Sequence, residues 1–499
     1  MMIRQQVITT ERDQMSLIAE LAQQYIDGRW RPGTGSWDIV DLDPYSGEKL
    51  ASFTVATAEE IDQAYRAAER AQPGWAAASP YQRREVFERA LQVVEAREAE
   101  ILEVMTVELG GTLGKSAFEL ALVKDMLREA MAVALRAEGR ILASPVPGKE
   151  NRLYRLPVGV VGVISPFNAP VFLSLKAVAP ALALGNAVVL KPHQDAPVAG
   201  GTLIAKIFEE AGLPAGLLNV VLTDIAEIGD AFIEHPVPKV IAFTGSDSVG
   251  RHVATVAASH LKRTVLELGG NSALVVLDDA DLDYAVDAAV ASRYTHQGQI
   301  CMAANRILVD RSLFAEFSEK FTAKVASLRA GDPSDPATQI GPLINSAQAE
   351  AITAEVDQAI AGGARPLLHG ATVGTLVKPT VLTDIPADAP ILHREVFGPV
   401  ALLIPFDGED EAVRIANDTP FGLSGAVHTA DIERGVRFAQ RIDTGMIHVN
   451  DGTIADEPIV PFGGQKNSGL GRLNGDTSVD AFTTVKWISI QHGRSRFPF

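Results

Sequence analysis

The chain has 499 residues, 47% of them hydrophobic and 21% charged, with a formal net charge of −18. Length and apolar content suit a globular protein with more than one core rather than a disordered chain, and the acidic balance makes nucleic acid or an anionic membrane surface a poor partner. The single cysteine, Cys301, excludes an internal disulfide and fits a reducing compartment such as the cytoplasm.

Arg4, Glu11, Arg12 and Asp13 interrupt the start of the chain, where a secretory signal would need an apolar stretch. Thr57 and Glu60 have the spacing of a capping box, and Ile61, Ala64, Tyr65 and Ala68 follow at helical intervals. Ser79 before Pro80 predicts a second helix, with Val86, Phe87, Ala90, Leu91 and Val94 as its apolar stripe. No charged residue stands between Arg155 and Lys176, yet Pro166, Asn168 and Pro170 break the run, so it reads as a buried strand, a loop and a helix rather than a membrane span. From there β-branched runs at 158–164, 187–190, 219–222, 240–243 and 264–268 alternate with helical segments. That alternation predicts a parallel, doubly wound sheet, with ligands at the carboxyl ends of its strands. Residues 165–168, 191–194 and 244–246 should therefore face one crevice. A second α/β region begins near Asn271, with a helix over 282–295 and a strand over 306–309, and residues 487–491 read as a last strand.

Four places can carry chemistry. A lone cysteine is most often a small buried hydrophobe, but Gln297-Gly298-Gln299 just before Cys301 suggests a turn. Glu267 ends an apolar strand, where burial raises a carboxyl pKa and suits a general base; the bland alternative is a surface acid. Gly269 and Gly270 after it point to a close backbone approach. Asn168 carries an amide able to hold an oxyanion, or merely stabilises a turn. Thr244-Gly245-Ser246, between strand and helix, can cradle a phosphate. No Gly-x-Gly-x-x-Gly fingerprint and no metal-binding constellation occurs.

Together these segments resemble the aldehyde dehydrogenase superfamily over nearly the whole chain. The resemblance runs in the family's order through Tyr25-Ile26-Asp27-Gly28, Ser165-Pro166-Phe167-Asn168, Lys191-Pro192, Thr244-Gly245-Ser246, Glu267 to Asn271, Gly298 to Cys301, Glu395-Val396-Phe397 and Pro461-Phe462-Gly463-Gly464. The spacing from Glu267 to Cys301 is also the family's. What it implies is an α/β fold with a Rossmann-like cofactor domain (1–140 and 157–268), a catalytic domain (269–450), an oligomerisation arm (141–156 and 480–499) and a substrate loop with a return segment (451–479). It implies an NAD or NADP cofactor, a small-molecule aldehyde substrate and a homodimer or homotetramer. Cys301 would be the nucleophile, Asn168 an oxyanion donor and Glu267 the base that hydrolyses a thioester. Lys191 would reach the adenosine ribose, Gly245 and Ser246 the pyrophosphate, Glu395 the nicotinamide ribose and Phe397 the region beside it. Ile164, Ser165, Pro166, Phe167, Gly229, Phe243, Val249, Leu268 and Gly269 would complete the crevice.

Two positions depart from many members. Gln194 replaces a glutamate that disfavours a 2′-phosphate, which leaves NADP open. Asp476 stands one methylene short of a glutamate seen near the Gly471-Arg472 segment, and no proton-relay role is assigned to it. Residues 298–302, Asp456-Glu457-Pro458 and the tail from Trp487 resemble the branch that oxidises aromatic aldehydes such as benzaldehyde, vanillin and salicylaldehyde. Phe172, Leu175, Ile300, Met302, Ile459 and Phe462 would line an apolar pocket. The loop before Pro461 holds Asp456 and Glu457 and no basic residue, which argues against an aldehyde bearing a second carboxylate. Aliphatic or semialdehyde substrates, transfer to coenzyme A, and a catalytically silent dinucleotide-binding relative are the alternatives; Glu267 speaks against transfer to coenzyme A.

Overall fold

A computed structural model describes residues 17–499; Arg4, Glu11, Arg12 and Asp13 lie outside the described residues. Thr57 caps the helix Ala58–Ala77, and Glu60 returns the bond to the Thr57 N–H at 3.1 Å. Ser79 and Gln82 form a second reciprocal cap on the helix Pro80–Ala96. Val86, Phe87, Ala90 and Val94 bury the stripe of that helix, with Leu91 packed at its edge.

Five parallel strands form the centre of an eight-stranded sheet: β1 (Val160–Ile164), β2 (Ala187–Lys191), β3 (Leu218–Val220), β4 (Val240–Thr244) and β5 (Arg263–Glu267). Their spatial order is β3-β2-β1-β4-β5. β1, β2 and β4 bury all but their last residue, because helices cover both faces of a parallel sheet. The five sequence runs match these strands within a residue or two at their ends, where the apolar pattern outlasts or falls short of the ladder. An antiparallel hairpin, Gln24–Ile26 and Arg29–Arg31, extends the sheet beyond β3, and Gly469–Leu470 returns antiparallel beside β5. The uncharged stretch before Lys176 is β1, a loop and the helix α1 (Pro170–Ala183). No helix among the described residues is long and apolar enough to cross a membrane.

The strand order reverses between β1 and β4, which opens a crevice above the carboxyl edge of the sheet. A second sheet of seven strands covers 272–449 and is parallel except at Arg365–Leu368. Its strand Ala304–Asp310 contains the strand expected there, and its helix Leu282–Tyr294 ends one residue short of the expected 295, which is its C-cap. Leu274, Ile307, Phe317 and Phe321 belong to its core. A third sheet pairs Arg140–Leu142, Lys149–Pro157 and Thr483–Gln491, and leaves Ile141 and Trp487 exposed.

Candidate active site

The nucleophile loop begins where the helix Leu282–Tyr294 ends. His296, Gln297 and Gly298 lie in succession at φ of 51°, 57° and 76°. A Cβ on Gly298 would stand 2.1 Å from Arg293 and 2.4 Å from the Gly398 carbonyl, so only glycine passes this point. Arg293 is fully buried and donates to the carbonyls of Gly298, Val396 and Gly398 at 3.0, 3.0 and 2.6 Å. It ties the Cys301 loop to the loop bearing Glu395. The two glutamines are clamps as well: Gln297 donates to the Pro342 carbonyl at 2.8 Å, and Gln299 accepts the Ile344 N–H at 3.0 Å. Cys301 emerges half-buried from this frame.

Glu267 ends β5, and its carbonyl accepts the Gly245 N–H at 3.1 Å. A Cβ on Gly270 would meet the Cys301 carbonyl at 2.3 Å, and one on Gly269 would meet the Glu395 carboxylate at the same distance. The paired glycines thus admit the nucleophile loop on one side and Glu395 on the other. Glu395 accepts the Gly270 N–H at 3.0 Å. Asn168 follows β1, and its Nδ2 donates one hydrogen to the Gln299 carbonyl at 2.9 Å. The amide has a second hydrogen.

Two cavities meet here. Asn168, Leu173, Thr244, Glu267, Leu268 and Cys301 line both of them. The larger runs along the carboxyl edge of β1, β2 and β4, and every residue that the resemblance assigns to the dinucleotide lines it, Gly229, Phe243, Val249, Glu395 and Phe397 among them. Ser246 caps the helix α2 (Asp247–Ser259), whose N-terminal amides face this crevice. Lys191 brings an ammonium whose burial lowers its pKa to about 8. Apolar walls, a cation, a helix N-terminus and a carboxylate around one cavity suit a dinucleotide.

The smaller cavity lies on the other side of Cys301 and is almost wholly apolar at its surface. Phe172, Ile300, Met302 and Phe462 line it. Two expected lining residues do not. Leu175 is 1% exposed and belongs to the core, because the face of α1 toward the cavity carries Phe172, Leu173 and Lys176 at helical spacing, which turns Leu175 away. Ile459 is 62% exposed on the loop, and Ile454 takes the lining place. The sequence reading also missed Lys176. Its ammonium reaches Asp456, so a basic residue does stand beside that loop. The signal was present in the sequence: Lys176 closes the uncharged run and lies one helical turn beyond Phe172. Asp476 sits on the surface beside Arg136, with its side chain 90% exposed.

Burial governs the protonation of the site. Desolvation pushes Glu267 up to about 8, with Asp456 adding to the rise and Lys176 and Arg472 opposing it. Both Glu267 oxygens lack a hydrogen-bond partner, which leaves them free to take a proton. The Cys301 thiol is pushed up to about 12 by burial first and then by Glu395, against the pull of Lys176. In the protein alone at neutral pH the sulfur is therefore a thiol, and a base within the same cavity is the group able to relieve it of its proton.

The sequence profile of the aldehyde dehydrogenase family matches residues 30–488. This chain belongs to that family. Benzaldehyde dehydrogenase YfmT of Bacillus subtilis (strain 168) is 57% identical over 480 residues, covering 96% of this chain and 99% of that protein. The crystal structure of an NAD-dependent benzaldehyde dehydrogenase from Corynebacterium glutamicum superimposes with a TM-score of 0.88 at 41% identity, covering 96% of this chain and 98% of the other. That of a salicylaldehyde dehydrogenase from Pseudomonas putida G7 complexed with salicylaldehyde gives a TM-score of 0.92 at 35% identity, covering 96% and 99%. The aldehyde dehydrogenase is thus an oxidoreductase that uses NAD or NADP to convert an aldehyde to an acid.

Proposed function

We propose that this aldehyde dehydrogenase oxidises aromatic aldehydes to carboxylic acids through a thioester on Cys301. The observation that carries the reading is the meeting of two cavities at Cys301, Glu267 and Asn168, one suited to a dinucleotide and the other walled by Phe172, Phe462, Ile300 and Met302. The relatives named for benzaldehyde and salicylaldehyde support an aryl substrate.

When bound, the oxidised nicotinamide supplies the two-electron acceptor. The residues of the chain do the rest. Glu267 takes the thiol proton, and the Cys301 sulfur bonds to the aldehyde carbon. The second hydrogen of the Asn168 amide, fixed in direction by the Gln299 carbonyl, and the Cys301 backbone N–H hold the resulting oxyanion. Glu267 then releases that proton to solvent, and once the carbon has been oxidised to the thioester it takes a proton from water; the hydroxide oxygen bonds to the acyl carbon, the carbon–sulfur bond breaks, and the sulfur leaves and recovers the proton from Glu267. One water is consumed, and the acid is released.

Asn168→Ala removes a donor aimed at charge that develops only during reaction. Its kcat with benzaldehyde is expected to fall by about 10²–10³-fold, with KM little changed. Unchanged kcat in steady-state assays removes Asn168 from this role. Because Glu267 acts as the carboxylate, the rate of thioester hydrolysis should rise with pH through a midpoint near 8, the value to which burial pushes this group, and then level off. Lys176, Asp456 and Arg472 face the carboxyl and shift the midpoint without reversing its direction. A pH–rate profile flat from 6 to 9 under conditions where hydrolysis limits turnover contradicts this.

Formation of reduced nicotinamide, followed at its near-ultraviolet band, tests the whole reading with a panel of aryl and alkyl aldehydes and each dinucleotide. The reading requires aryl aldehydes to have the higher kcat/KM; a preference for alkyl aldehydes overturns it. The single cysteine, which forms no internal disulfide, supports a cytoplasmic enzyme. The sheet formed by 140–157 and Thr483–Gln491 carries exposed Ile141, Trp487 and Ile488, which supports its part as an arm joining a homodimer or homotetramer. The reading assigns 1–140 and 157–268 to the cofactor domain, 269–450 to the catalytic domain and 451–479 to the substrate loop and return segment.

A further inference from the structure

Two buried cations line the cavity beside Cys301, and the reaction consumes neither. Lys115 donates to Glu119 at 2.6 Å, and Glu119 also accepts the N–H groups of Val171 and Phe172 at 2.9 and 3.2 Å. That pair anchors the first turn of α1, next to Asn168. Lys176 is placed differently. Its ammonium lies over the Phe462 ring, 3.2 Å from the centroid, and pairs with Asp456 from the 451–479 loop. The side chains of Lys176 and Asp456 are only 2% and 3% exposed. Asp456 is held in turn by the Asn474 amide at 2.8 Å, which also donates to the Glu457 carbonyl. Lys176, Asp456 and Phe462 all line the cavity.

We propose that Lys176 and Asp456 form the charge filter of the aldehyde cavity: each cancels the other, so the cavity takes neutral aryl aldehydes and refuses aldehydes that carry a second charge. This rests on the reading that the smaller cavity holds the ring of the aldehyde. An anionic substrate that enters loses its hydration and must recover it from a protein cation. The cation beside the loop is already engaged by Asp456, and Asp456 repels the newcomer. A cationic substrate meets the converse arrangement. A neutral ring meets aromatic walls and a net charge of zero from the pair. Removing one member leaves an uncompensated charge in a desolvated site, and a substrate charge of opposite sign is then the group best able to satisfy it.

The same pair acts on Glu267 with opposite signs, since Lys176 lowers its pKa and Asp456 raises it. A filter that is neutral as a whole therefore leaves burial in control of the base, whereas breaking it moves the pH midpoint. Asp456→Asn should lower that midpoint and Lys176→Gln should raise it. A role in packing alone moves neither in this signed way.

The test compares the wild-type enzyme with Asp456→Asn, Lys176→Gln and the double variant on benzaldehyde, 4-carboxybenzaldehyde and 4-(trimethylammonio)benzaldehyde. Asp456→Asn should raise the ratio of kcat/KM for the carboxylate over benzaldehyde by about tenfold or more, chiefly through KM. Lys176→Gln should raise the ratio for the ammonium over benzaldehyde by a similar factor. The double variant, neutral again, should return both ratios to within about threefold of wild type. Dinucleotide binding checks that each variant is folded, and either single variant with the double suffices if the other does not fold. Ratios that stay within about twofold of wild type in the folded single variants overturn the filter while benzaldehyde turnover persists. A double variant that shifts as far as the singles also overturns it. Failure of the wild-type enzyme to oxidise benzaldehyde at all overturns the aryl-aldehyde reading and the filter with it.

Discussion

Replacing Cys301 with alanine is expected to abolish aldehyde oxidation, a loss of at least about 10⁴-fold in kcat, while dinucleotide affinity stays within about threefold of wild type. The two readouts separate because Cys301 is one of many residues lining the cofactor crevice, and Lys191, Ser246, Val249 and the others that line it are unaltered. No other thiol exists in the chain to substitute for it. Cys301→Ser should not restore the rate, since a hydroxyl is harder to deprotonate than the thiol in a cavity that already pushes the thiol up to about 12. Dinucleotide titration by fluorescence together with steady-state assays checks both halves. Turnover retained in Cys301→Ala would place the nucleophile elsewhere and remove the thioester from the scheme.

The second large effect concerns Glu267. In Glu267→Gln the first turnover should still release about one reduced nicotinamide per site, but more slowly than in the wild type, because the amide cannot take the Cys301 proton and solvent must. The steady-state rate should then fall by roughly 10²–10⁴-fold, the usual contribution of a positioned base. The amide keeps the shape of the carboxyl and cannot accept the proton. The carboxyl it replaces has both oxygens unpartnered and is buried, so the swap breaks no hydrogen bond. Loss of the rise in rate around pH 8 should accompany it. Stopped-flow absorbance resolves the burst from the slow phase. A variant with an unchanged steady-state rate shows that another group activates the water; one whose burst is as fast as the wild type's shows that another group deprotonates Cys301.

The parts of the site most legible in the sequence are those fixed by the local backbone. Gly298 reads as a turn because its φ of 76° and its crowding by Arg293 and Gly398 admit no side chain, and Gly269 and Gly270 read as a close approach because the Glu395 carboxylate and the Cys301 carbonyl crowd them. Ser246 reads as a helix cap from its place between strand and helix. The errors fall where a side chain's direction decides. Leu175 and Lys176 are adjacent in sequence, yet one points into the core and the other into the cavity, and a list of apolar residues near Asn168 does not tell them apart. Ile459 looks like a pocket residue by hydrophobicity, yet the loop turns it outward.

The two capping boxes, the uninterrupted apolar strands and the helical stripes were written in the chain itself, because hydrogen bonds three residues apart and the repeat of side chains along a helix or strand depend only on neighbours. The pairing of Lys176 with Asp456, and the clamp by which Arg293 joins the Cys301 and Glu395 loops, belong to the tertiary structure. Residues remote in sequence meet only after the chain has packed, and whether a buried charge is cancelled or left bare depends on what that packing brings against it.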